Sequence, residues 1–129
     1  MNLTFFPDAL SIPLVPRPGY GKMIKAGSPL AFGRIISLSD DKRTARVVWR
    51  GTPGTFAFTP DSRTVDVAVI LKGRLVVRVP GEPDRHAAAG SVIEFPRVPF
   101  ELEILEEFTK VGNSTFVAAN FSSEATSSG

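Results

Sequence analysis

Apolar and polar residues alternate along most of this chain in short runs, with the period of two that a half-buried strand requires. The pattern predicts strands over residues 34–38, 45–50, 55–58, 65–71, 74–79, 91–95, 101–105 and 115–120. Most of these runs are rich in Val, Ile and Phe, and Gly, Pro, Asp or Asn stand at their boundaries. Lys72-Gly73 predicts a tight reversal between two apolar runs, and Pro80-Gly81-Glu82-Pro83 a wider one. Between 101 and 110, Leu102, Leu105 and Phe108 would also suit a helical stripe. The alternation Glu101, Leu102, Glu103, Ile104 fits a strand better. About eight short strands without an intervening helix argue for an all-β antiparallel barrel or sandwich.

The two ends of the chain break the pattern. Pro7, Pro13, Pro16, Pro18, Gly19 and Gly21 oppose a regular helix in the first thirty residues. Leu3, Phe5, Phe6, Leu10, Ile12, Leu14 and Val15 still supply apolar anchors there. Residues 1–33 are therefore expected to form an N-terminal arm packed on the barrel or on a partner subunit, with the barrel over 34–121. The Ser-rich stretch 122–129 lacks large apolar residues and is expected to be disordered. An apolar arm and open strand edges together predict a homodimer.

Composition narrows the function. The chain has 129 residues, 43% of them apolar, which suffices for one core. Its formal net charge is +2 with both signs interspersed, so no basic patch marks it for nucleic acid. No cysteine is present, which removes disulfides, thiolate metal sites and thiol nucleophiles. No run approaches the ~20 apolar residues of a membrane span, and no basic segment precedes an apolar one at the N-terminus. The expected location is the cytoplasm. No Gly-rich phosphate loop and no Gly-x-Ser-x-Gly elbow occur.

A spaced frame of glycines and prolines carries the fold. Gly54, Pro60, Ser62, Asp66 and Gly73 stand at the spacing of one cupin motif, and Gly90 with Pro96 at the spacing of a second. Trp49 with Gly54, the segment Leu71-Lys72-Gly73-Arg74, and Gly90-Ser91 before an apolar run and Pro96 resemble the small single-domain cupins grouped with the ethanolamine-utilisation cupin. The resemblance covers roughly residues 34–119. It implies a cupin jelly-roll β-barrel, often dimeric, with a pocket open at one end. Ser91 replaces the aspartate usual in that family.

The resemblance also implies where metal ligands would stand: Pro60 and Ser62 in place of two histidines, Asp66 in place of glutamate, Glu101 in place of a third histidine. Only Asp66 and Glu101 can coordinate, and oxygen ligands alone favour a weakly held hard cation such as Mg²⁺. No cofactor and no transition-metal centre is therefore expected. If Glu101 points inward, Glu103 does too, and Asp66, Glu101 and Glu103 form an acidic pocket wall. The alternative is a one-residue shift that leaves these carboxylates in water or paired with arginines. Phe58, two residues before Pro60, is expected to face the pocket, while Trp49 and Phe56 are expected to pack the core. His86, the only histidine, lies in a polar segment and reads as a surface residue. Tyr20, the only tyrosine, lies in the Pro/Gly-rich arm with nothing to place it near His86, which argues against a His–Tyr pair for epimerase-like proton transfer. The leading expectation is a barrel that binds a small, cationic or polar metabolite without metal. The competing one is an enzyme of small amine or ureido compounds that uses the pocket carboxylates, with or without a divalent cation.

Overall fold

Every strand pairing among residues 3–116, the part of the chain described by the computed structural model, is antiparallel. Nine strands follow in order: β1 (Val15–Pro16), β2 (Ile24–Ala26), β3 (Ala31–Leu38), β4 (Thr44–Gly51), β5 (Gly54–Phe58), β6 (Thr64–Arg78), β7 (Arg85–Ala88), β8 (Val92–Glu94) and β9 (Phe100–Phe116). Two 3-10 helices, Ala9–Ser11 and Pro18–Met23, lie in the arm. The first is capped by Asp8, whose carboxylate accepts from the Leu10 amide. Part of the last predicted strand, 117–120, and the tail 122–129 lie outside the described residues.

Two long strands organise the sheet. One edge of β9 pairs with β5 through residues 100–104 and with β4 through 108–115, while its other edge pairs with β6 over most of its length. The far edge of β6 pairs with β8 near its start and with β7 near its end. The sheet thus divides into a half ordered β1-β3-β4-β9-β6-β8 and a half ordered β2-β5-β9-β6-β7, joined by the two shared strands. The halves close on one core. Trp49, Ala68, Ile70 and Phe108 come from the first, and Phe56, Leu75, Val77, Phe100, Leu102 and Ile104 from the second. At about 1.5–3 kcal/mol for each large apolar side chain removed from water, this cluster is the main favourable term holding the curl.

The bend in β6 corrects one sequence expectation. Lys72-Gly73 does not reverse the chain: residues 65–71 and 74–78 form one strand that passes through Gly73. Gly73 has φ +93°, and the pairing with β9 shifts register between Ile70 and Lys72, between Lys72 and Arg74, and between Arg74 and Leu75. These irregularities are bulges, which raise local twist and let one strand serve both halves of a closed sheet. Likewise 101–105 and the start of the last predicted strand belong to the single strand β9. The wider turn at Pro80–Pro83 does form, leading into β7, a strand the alternation did not reveal.

The arm packs against its own barrel. β1 pairs with β3, β2 pairs with β5, and Ile12 is buried. Leu3, Phe5 and Leu10 remain exposed.

Candidate functional site

A cavity of about 280 Å³ lies between the two halves of the sheet. β4 contributes Trp49, β5 Phe58, β6 Asp66 and β9 Leu102 and Lys110. The loop before β6 adds Thr59, Pro60 and Asp61, and the loop after β8 adds Phe95 and Pro96. The second 3-10 helix closes one side with Tyr20 and Met23. Pro18 at the first turn and Gly19 and Gly21 within it permit this tight, irregular helix.

The walls are aromatic. Ring centroids run from Phe95 to Phe100 at 5.8 Å, Phe100 to Phe58 at 5.3 Å, Phe58 to Phe56 at 5.8 Å and Phe56 to Trp49 at 5.9 Å. Lys110 completes the circuit, its Nζ 5.8 Å from the Trp49 ring and 4.5 Å from the Phe95 ring. Tyr20 meets Trp49 edge-on at 5.5 Å and touches both phenylalanines of β5. Each such pair contributes about 0.5–1.5 kcal/mol beyond area burial, so the walls are held in place before any ligand arrives.

Lys110 and Asp66 face this apolar surround, with the Tyr20 phenol beside them in the lining. Lys110 makes no ion pair or hydrogen bond among the described residues. Burial pushes its pKa down, and the negative charge of Asp66 only partly opposes this. Burial likewise pushes the Tyr20 phenol up, an effect opposed by the Trp49 indole N–H and reinforced by Asp66. The indole N–H is itself buried without a partner at good hydrogen-bond geometry. Asp61, also on the rim, is held below the usual carboxylate range by the Arg63 side chain and amide.

The expected pocket residues separate into two groups. Phe58, Pro60 and Asp66 line the cavity. Ser62 is exposed outside it and engages Arg97 only through its backbone carbonyl, at 3.4 Å. Glu101 and Glu103 do not point inward, and the expected acidic wall is not formed. Leu102 and Ile104, 3% and 2% exposed, take the inner positions of β9. Glu101 pairs instead with Lys25, and Glu103 with Arg78 at 2.6 Å. Because side chains alternate, a shift of one residue exchanges the faces of a whole strand, and burial of leucine and isoleucine outweighs burial of two carboxylates.

Among the cavity residues that the sequence reading missed, Tyr20 and Lys110 carry the polar chemistry. Tyr20 carried no signal, since its arm is irregular. Lys110 did carry one: it shares parity with Leu102, Ile104 and Phe108 on a single strand. Trp49, expected in the core, both packs there and lines the cavity. His86 is exposed on β7.

The donor set does not suit the metal centre common in cupins. Among the described residues, no three His, Cys, Asp or Glu side chains come together as a metal site. Within the cavity, Asp66 is accompanied by the amine of Lys110, which repels a cation whenever it is protonated.

No protein-family profile matches the chain, and no curated protein matches it in sequence. Solved structures do match. A protein of unknown function of the DUF861 family from Pseudomonas syringae pv. tomato superposes with a TM-score of 0.70 at 16% identity, over 84% of this chain and 46% of that one. The cupin domain of Schizosaccharomyces pombe Cnp3 gives 0.67 at 11% identity, over 92% and 78%. The EutQ protein of Clostridium difficile gives 0.58 at 14%, over 68% and 69%. At these identities the likeness establishes the cupin fold and carries no chemistry with it.

Proposed function

We propose that this cupin barrel binds a small metabolite without metal, holding a flat or apolar body against Trp49, Phe58 and Phe100 and a carbonyl or carboxyl group toward Lys110. The observation that carries this reading is the aromatic circuit around an unpaired, desolvated amine. A volume near 280 Å³ equals roughly nine waters at ~30 Å³ each, which suits a compact ligand. Lys110 serves as donor to the ligand's oxygen, and Asp66 accepts from any hydroxyl or amine it carries. The cationic preference expected from an acidic wall has no support, since Glu101 and Glu103 lie outside. The two-carboxylate enzyme loses Glu101 and Glu103 for the same reason, and the carboxylate left beside Asp66 is Asp61, which Arg63 already holds.

Trp49 is the only tryptophan, so its fluorescence reports this cavity alone. Titration with small aromatic and aliphatic carboxylates and carbonyl compounds should give saturable quenching and a higher melting temperature for at least one class. Phe58→Ala should weaken that binding about tenfold or more, the effect of losing roughly 1.4 kcal/mol. A panel that neither quenches Trp49 nor shifts melting would defeat the reading. The homodimer belongs to the same proposal, supported by the exposed Leu3, Phe5 and Leu10 of the arm.

A further inference from the structure

We infer that Lys110 is a carbonyl-reactive amine, and that the cavity captures a small aldehyde or ketone as a reversible imine on its Nζ. The inference rests on the small-molecule reading above and specifies which carbonyl compounds the cavity would take. Three features of the site support it.

The first is placement. Lys110 lines the cavity, and its amine lies over the Phe95 and Trp49 rings without an ion-pair partner among the described residues. The other four lysines, Lys22, Lys25, Lys42 and Lys72, are all exposed, and Lys25 is paired with Glu101. The second is protonation. An amine attacks a carbonyl only when unprotonated, and desolvation pushes Lys110 toward that form. The third is the company it keeps. Asp66 and Tyr20 line the same cavity, the charge of Asp66 acts on both Lys110 and Tyr20, and burial favours the protonated phenol, a proton donor.

The step balances without an oxidant or a reductant. The Nζ lone pair forms a bond to the carbonyl carbon while the C=O π pair moves to oxygen, which takes up a proton. Nitrogen loses its protons as the hydroxyl departs as water, leaving C=N. Asp66 accepts a proton from nitrogen, and Tyr20 or Asp66 returns one to the departing oxygen. Hydrolysis reverses the sequence. The aromatic walls favour a flat, unsaturated or aryl-bearing carbonyl compound over a sugar.

The test uses the full chain, benzaldehyde as probe, and sodium cyanoborohydride near neutral pH to reduce any imine to a stable benzylamine. Peptide mapping by mass spectrometry should locate the benzyl group on Lys110 at a rate several-fold above that at any surface lysine, because the cavity holds the aldehyde against its amine. Lys110→Met, checked for folding by Trp49 emission, should lose this rapid adduct and keep only the slow surface labelling. Adducts spread over Lys22, Lys25, Lys42 and Lys72, with Lys110 unmodified or no faster, would overturn the inference. Benzoate, which cannot form an imine, separates the two readings. Quenching of Trp49 by benzoate without a Lys110 adduct leaves the binding cavity standing and removes the imine. Neither quenching nor adduct removes both.

Discussion

Gly73 has φ +93°, and a Cβ built on it would lie 2.2 Å from the Glu107 carbonyl oxygen and 2.5 Å from Phe108 Cα. Gly90 has nearly the same backbone, φ +95°, but open space beside it. The pair separates conformational strain from collision. Gly90→Ala should cost about 1 kcal/mol, the penalty of a side chain in left-handed backbone, whereas Gly73→Ala should cost about 3 kcal/mol or more because the β6–β9 pairing must also part. Urea denaturation would decide it, and equal losses at the two sites would refute the close approach. The two half-buried titratable groups of the cavity make opposite predictions with pH. Unfolded Lys110 binds its proton more tightly than folded Lys110, so stability climbs as pH rises through the window below the ordinary lysine pKa of about 10.4 and is lost as pH falls below it. Lys110→Met should flatten that slope and raise stability near neutral pH, measured by urea denaturation across the pH range. Tyr20 is raised instead, so its contribution is complete below about pH 10 and is lost as pH rises through the higher folded value. As the only tyrosine, it should give a phenolate absorbance titration displaced above 10 that returns to the ordinary range in denaturant.

β9 shows how far an element can be read from its letters. The framework residues Gly54, Gly73, Gly90 and Pro96 identified the fold because turns and bulges need their backbone properties whatever the side chains nearby. Transferring the motif position after Pro96 to Glu101 selects the wrong parity for the inner face of β9. Leu102, Ile104 and Phe108 share the other parity, and counting from them would have turned the glutamates outward and Lys110 inward. The joining of 65–71 with 74–78 was not legible, since a Lys-Gly pair between apolar runs fits a hairpin as well as a bulge. The register makes its own prediction. Glu101→Gln and Glu103→Gln should leave cavity binding unchanged and barely move the denaturation midpoint, because their ion pairs are solvent-exposed. Asp66→Asn, inside the cavity, should alter affinity at least several-fold. Loss of binding in either glutamate variant, measured by Trp49 fluorescence, would restore the acidic wall.

At the scale of the whole molecule, the arm ties two parts of the barrel together. β1 joins the edge of β3, β2 joins the edge of β5, and Tyr20 and Met23 between them complete the cavity wall. Removing residues 1–11 spares these contacts and buried Ile12 but deletes exposed Leu3, Phe5 and Leu10. Size-exclusion chromatography of that truncation should show a shift from dimer toward monomer while Trp49 emission stays native. An unchanged elution volume would assign the arm to its own barrel alone. The placement of Tyr20 could not be read in advance, because it depends on where a short irregular helix docks and not on any period in the sequence.

β9 is the last described strand to be synthesised, yet β4, β5 and β6 all pair with it. Residues 44–51 wait for 108–115, and 54–58 wait for 100–104. During synthesis the nascent sheet therefore has its central position vacant and its apolar face uncovered until β9 emerges from the ribosome. Such a topology folds late and as a unit, with mostly long-range pairings, and depends on protection from aggregation in the interval. Chains interrupted anywhere before β9 should be degraded or aggregate and should not accumulate as partly folded barrels.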